Sequence, residues 1–108
     1  VFSMEVLYYL QPAEVHMLLA SIRREWLKPG GTFVLGLDHY VENTECHGWA
    51  RENNTHMLLW SELQWMEALQ EAGFRVEEHF RANQGTDGAW REGTLAFIST
   101  APLPLYSP

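Results

Sequence analysis

Acids and a histidine collect just past an apolar run, in Asp38-His39-Tyr40 and then Glu42-Asn43. A histidine changes charge near neutral pH and can carry a proton in catalysis. An acid or a phenol beside it can bind and orient a polar ligand. The competing reading of His39 is a solvated loop side chain. Further along stand Cys46, His47 and His56. With His39 they raise the question of zinc, whose ligands are cysteine and histidine. Their spacing matches no compact zinc pattern, and adjacent Cys46 and His47 could share one ion only under strain, so no metal site is expected. Cys46 lacks the supporting motif of a nucleophile. Trp49, Trp60 and Trp65 either wall a ligand or staple a loop and helix to the core.

These groups need a scaffold, and the sequence names it. Leu27-Lys28-Pro29-Gly30-Gly31-Thr32 ends a helix, turns sharply and starts a strand. Pro29 cannot continue a helix, and Gly30 and Gly31 permit the positive φ of a tight reversal. Thr32 to Leu37 is apolar on successive positions, as in an interior strand covered on both faces. Asp38 then falls at its carboxyl end, where open α/β sheets place ligands.

Before this unit, Val1-Phe2-Ser3 reads as the end of a strand and residues 6–10 as a short apolar turn. Val15, Leu18, Leu19, Ile22 and Trp26 share one helical face, so a helix is expected over about residues 12–27 with that stripe on a sheet. After it, residues 38–60 lack periodicity, the mark of a lid or binding loop. Ser61 and Gln64 form a capping box, and Trp60 and Trp65 a hydrophobic staple, for a second helix burying Leu63, Met66 and Leu69 and ending at Gly73. Residues 74–80 alternate, with Phe74, Val76 and Phe80 expected inward, as a polar edge strand. Residues 94–100 are apolar on both faces and should lie inside the sheet, antiparallel to that edge strand. Residues 101–108 form a proline-rich tail.

The chain has 108 residues, 46% hydrophobic, enough for one packed unit. A net charge of −7 with scattered basic residues argues against nucleic acid. A single cysteine fits a reducing, cytoplasmic setting, and no apolar run is long enough to span a membrane. The opening in an apolar run without a cap suggests a sequence entered mid-element.

Phe2-Ser3-Met4-Glu5-Val6-Leu7, then a helix, then Leu27-Lys28-Pro29-Gly30-Gly31-Thr32-Phe33-Val34 resembles the second half of class I S-adenosylmethionine-dependent methyltransferases. Ser61-Glu62-Leu63-Gln64-Trp65, Glu71-Ala72-Gly73-Phe74 and Arg91-Glu92-Gly93-Thr94-Leu95 are similar to that family's next helix and last two strands. The resemblance covers about residues 1–100. It implies an α/β fold: the carboxyl half of a Rossmann-like sheet, with parallel strands, a terminal antiparallel hairpin and helices packed on the sheet. It also implies S-adenosyl-L-methionine as cofactor, met by Ser3, Met4 and Glu5 mainly through backbone groups. A small-molecule methyl acceptor would contact Tyr8, Tyr9, Asp38, Tyr40 and Trp49, with His39 as the base if a proton must leave.

One departure matters. The family's glycine-rich turn after strand one and its ribose-holding acid are not in these residues, so the chain alone should bind the cofactor weakly or not at all. A sheet cut at residue 3 would leave an edge open to self-association. Two other readings stand beside this one. A non-catalytic partner module could keep half of the fold. A nucleotide-binding oxidoreductase fragment is disfavoured, because such folds end in parallel strands.

Overall fold

The computed structural model describes residues 2–4, 7–44, 58–82 and 92–102. Strand β2 (Thr32–Leu37) is its centre. It pairs in parallel with β1 (Phe2–Met4), Phe2 opposite Val34 and Met4 opposite Gly36, and antiparallel with β4 (Thr94–Thr100). Strand β3 (Arg75–Ala82) pairs antiparallel with the far side of β4, giving the order β1-β2-β4-β3. The strand at residues 94–100 therefore lies inside the sheet, as its apolar composition requires. Because β3 and β4 are antiparallel, β1, β2 and β3 all point their carboxyl ends the same way. The residues following β1 and β2 are thereby gathered at one end.

One sheet face carries the core. Register places Phe33, Leu35 and Leu37 beside Ser99, Phe97 and Leu95, and all six are buried. Helix α1 (Pro12–Ser21) adds Val15 and Leu19, and α2 (Glu62–Glu71) adds Trp65, Ala68 and Leu69 to the same cluster. At about 25 cal/mol per Å² of apolar surface removed from water, this cluster is the main stabilising feature of the fold.

Helix α1 begins at Pro12, with the Glu14 carboxylate accepting the Gln11 N–H at 2.9 Å. It does not run as an α-helix to residue 27. Ile22–Trp26 is a π turn, closed by the Leu27 N–H on the Ile22 carbonyl five residues back at 3.0 Å. The wider turn rotates position 26 off the buried stripe, so Trp26 is 56% exposed and Leu27 packs against the core instead.

The next turn holds Gly30 at φ 81, whereas Gly31 needs no positive φ. Gly31 is required for close approach, since a Cβ there would lie 2.9 Å from the Lys28 carbonyl oxygen. Ala101 exchanges backbone hydrogen bonds with Gly30 and Gly31 at 2.6 and 2.9 Å and is buried, which anchors the start of the tail.

The capping box of α2 forms as the sequence implies. Ser61 Oγ accepts the Gln64 N–H at 3.1 Å, and Gln64 Oε1 accepts the Ser61 N–H at 2.8 Å. Trp60 meets Trp65 edge-on at 4.8 Å. The buried stripe differs from expectation: Leu63 is exposed, and Trp65, Ala68 and Leu69 face inward. The staple fixes the helix by Trp65, which turns Leu63 outward. Gly73 closes the helix at φ 97.

In β3 the alternation breaks. Val76 faces Ser99 and Glu78 faces Ile98, so Glu77 is an extra, bulged residue. The bulge moves Phe80 to the face opposite the core, where it is 41% exposed, and brings His79 and Arg81 onto the core side. Phe80 is therefore not the inward residue that simple alternation predicts. The loop at residues 83–88 lies outside the described residues, as do Val1 and residues 103–108.

Candidate functional site

The parallel pair β1-β2 brings two segments together at its carboxyl end. After β1 a 3-10 turn, Leu7–Tyr9, buries Leu7 and Tyr8 and leaves Tyr9 half-exposed. After β2, residues 38–43 fold back across the sheet end. Tyr8 and His39 meet with ring centroids 4.5 Å apart, and Tyr8 also lies 4.9 Å from Tyr9. Two residues 31 positions apart in sequence thus form one buried aromatic contact. The Tyr8 carbonyl accepts the Leu58 N–H at 2.6 Å, so the far end of the long loop is tied to the same place.

His39 is buried, not a solvated loop residue, and burial holds its imidazole below the ordinary value against the raising pull of the Asp38 carboxylate. The imidazole is therefore neutral at pH 7 and can accept a proton. Asp38 is half-buried; its Oδ1 accepts the Thr94 hydroxyl at 2.6 Å, and its backbone carbonyl accepts Asn43 Nδ2 at 2.7 Å. Thr94 opens β4 directly beside the end of β2, which fixes the carboxylate's direction.

Tyr40 is the most enclosed member of the group. Its hydroxyl donates to the Glu92 and Gly93 carbonyls at 3.0 and 2.9 Å, and the Arg81 guanidinium lies 5.4 Å from its ring centre. Burial, assisted by Glu92, Glu62 and Glu42 and opposed by Arg81, pushes its phenol up to about 12. It stays protonated at any physiological pH.

Arg81 in turn bridges Glu92 at 3.1 Å and Glu62 at 3.2 Å, and Glu62 also meets His79 Nδ1 at 2.9 Å. Glu42 Oε1 accepts the Glu62 N–H at 2.9 Å. The bulge at Glu77 makes this network possible by turning His79 and Arg81 toward α2. Sequence reading passed over Arg81, Thr94, Glu62 and Glu92. The signal for them was present only as polar residues at the ends of expected strands.

Among the other expected site residues, Ser3 is half-buried at the end of β1, and the backbone of Met4 pairs opposite Gly36 there. Glu5 and Trp49 lie outside the described residues, as do Cys46, His47 and His56. Trp60 and Trp65 act as the staple of α2. Among the described residues no group of three His, Cys, Asp or Glu side chains could hold a metal ion, and no helix is long and apolar enough to cross a membrane.

Gly31 and Gly73, where an added Cβ would meet close neighbours, are filled by the chain's own Lys28, Leu27 and Arg23 at the end of the sheet away from Asp38. They cradle no ligand. The arrangement packs Tyr8 on buried His39 beside Asp38, with Tyr9 more open at its edge.

No family model matches the chain, and no curated protein matches it. Solved structures do. A chain of the complex between the Haloferax volcanii Trm112 methyltransferase activator and its candidate methyltransferase is 31% identical, with a TM-score of 0.79 over 99% of this chain and 55% of that one. The N-methyltransferase NodS from Bradyrhizobium japonicum WM9, in complex with S-adenosyl-L-homocysteine, is 22% identical, with a TM-score of 0.63 over 94% of this chain and 44% of that one. The [4+2]-cyclase SpnF is 15% identical, with a TM-score of 0.67 over 94% of this chain and 48% of that one. The last two likenesses are of fold alone. The chain spans about half the length of the solved structures it matches. Matched over nearly all of its residues, it has a class I methyltransferase-like fold.

Proposed function

We propose that this chain is the carboxyl half of the Rossmann-like domain of an S-adenosylmethionine-dependent methyltransferase that acts on a small molecule. The observation that carries the reading is the match to the Haloferax chain over 99% of these residues at 31% identity. The chemistry gathered at the carboxyl ends of β1 and β2 supports it. In this reading the cofactor's main grip is supplied outside these 108 residues, with Ser3, Met4 and Glu5 beside it.

The chain's own residues supply the acceptor side. Tyr8 and Tyr9 form a wall, Asp38 held by Thr94 binds a polar group, and Tyr40 closes the floor. Trp49 is assigned to the acceptor side from the sequence alone. Methyl transfer requires alignment and exclusion of water, which such a wall provides. Where the acceptor must lose a proton, neutral His39 receives it. The setting is cytoplasmic. A protein partner is part of the proposal, since the Haloferax chain is found with an activator.

The fold does not by itself choose the reaction, because SpnF carries a cyclase on it. Calorimetric titration of the longer protein with S-adenosylmethionine decides the matter. Saturable binding is expected there, with little or none by the 108-residue chain alone. Absence of binding by the longer protein removes the enzymatic reading and leaves a non-catalytic module.

A further inference from the structure

A groove of about 160 Å³ runs between the two helices, lined by His16 of α1, by Gln64, Glu67, Ala68 and Glu71 of α2, and by Trp60 just ahead of α2. Positions 60, 64, 67, 68 and 71 recur at helical spacing, so one face of α2 and its approach form one wall. Small-molecule sites usually enclose about 300–1,000 Å³. This groove suits the end of a single side chain.

Its electrostatics are unfavourable as it stands. Glu67 and Glu71 are like charges four residues apart on a helix, and α2 has no basic residue in its last turn. Among the described residues that line the groove there is no lysine or arginine, and His16 Nδ1 lies 3.9 Å from Glu71 Oε2. The Trp60 indole is half-buried and held edge-on by Trp65 at 4.8 Å, with the His16 ring 5.5 Å from it. A fixed aromatic wall beside two carboxylates is matched by a planar cation, which can stack on the indole while donating to both acids.

We propose that this groove receives an arginine side chain presented by a partner protein. An ammonium could satisfy the charge, but only a guanidinium also fits flat on the Trp60 ring and donates in a fork. The proposal does not depend on methyl transfer.

The test is a titration of the ¹⁵N-labelled full protein with N-acetyl-arginine-methylamide at low salt, followed at the Trp60 indole N–H and the Ala68 amide. The citrulline analogue serves as the neutral control of equal shape. Saturable shifts with the arginine compound alone are expected, weakening as salt is added. The double variant Glu67→Gln, Glu71→Gln should weaken binding by about five-fold, as two exposed charged contacts imply, with its thermal midpoint unchanged or raised. Equal shifts with citrulline, no saturable shift up to roughly 50 mM, well above the range of a weak complex, or unchanged binding by the variant would overturn the proposal.

Discussion

The histidine and the phenol at the carboxyl end of β2 are tuned by burial more than by their charged neighbours. His39 has a folded value below its ordinary 6.5. A lowered base makes the folded state bind protons less well than the unfolded chain. The stability this allows is present above 6.5 and is lost as pH falls from there through the folded value. Thermal unfolding between pH 8 and pH 5 should show a falling midpoint, and His39→Asn should flatten that fall. An equal slope in the variant would assign the effect elsewhere. Tyr40 behaves in the opposite range. Its phenol ionises at 10 when unfolded and at about 12 here, so its contribution is full below 10 and lost as pH rises toward 12. Tyr40→Phe should cost about 1–2 kcal/mol at neutral pH by orphaning the Glu92 and Gly93 carbonyls. It should also remove the alkaline loss, read by urea denaturation at pH 8 and pH 11.

Local signals set where most elements begin and end. The Ser61–Gln64 box starts α2, and Ser61→Ala should destabilise by about 1 kcal/mol in thermal or urea unfolding. At Gly31 the added methyl of Gly31→Ala would stand 2.9 Å from a backbone carbonyl that cannot swing away. A loss of about 1–3 kcal/mol is expected, as in other overpacked sites. No change in the urea midpoint would show that the turn can open. These features were legible because each depends on two or three neighbouring residues. The π turn and the bulge were not. Each adds one residue to a regular repeat, and a repeat read from sequence assumes a constant period. That is why Trp26 and Phe80 were expected in the core and stand exposed, while Arg81 and His79 reach the site side unforeseen.

For the whole molecule, the cluster shared by the sheet face and the helices governs stability. Leu35→Ala, at a fully buried position in the central strand, should cost about 2–5 kcal/mol. The other face carries exposed Phe80 and half-buried Val34 and Ile98, which lie outside that cluster. Among the described residues β1 has a partner on one side only. Together these predict that the 108-residue chain self-associates in a concentration-dependent way. Sedimentation velocity across a hundred-fold concentration range checks this, and a single monomeric species throughout would refute it.

The sequence by itself determined the order of elements, the inner place of β4, the caps and turns, and the acid at the end of β2. All of these follow from local propensity and apolar periodicity. Only the tertiary structure decided that Tyr8 stacks on His39, that Thr94 holds Asp38, and that Arg81 joins Glu62 to Glu92. Such pairings depend on strand register and on the faces chosen by a π turn and a bulge. Those choices are made by long-range packing, which no local window contains.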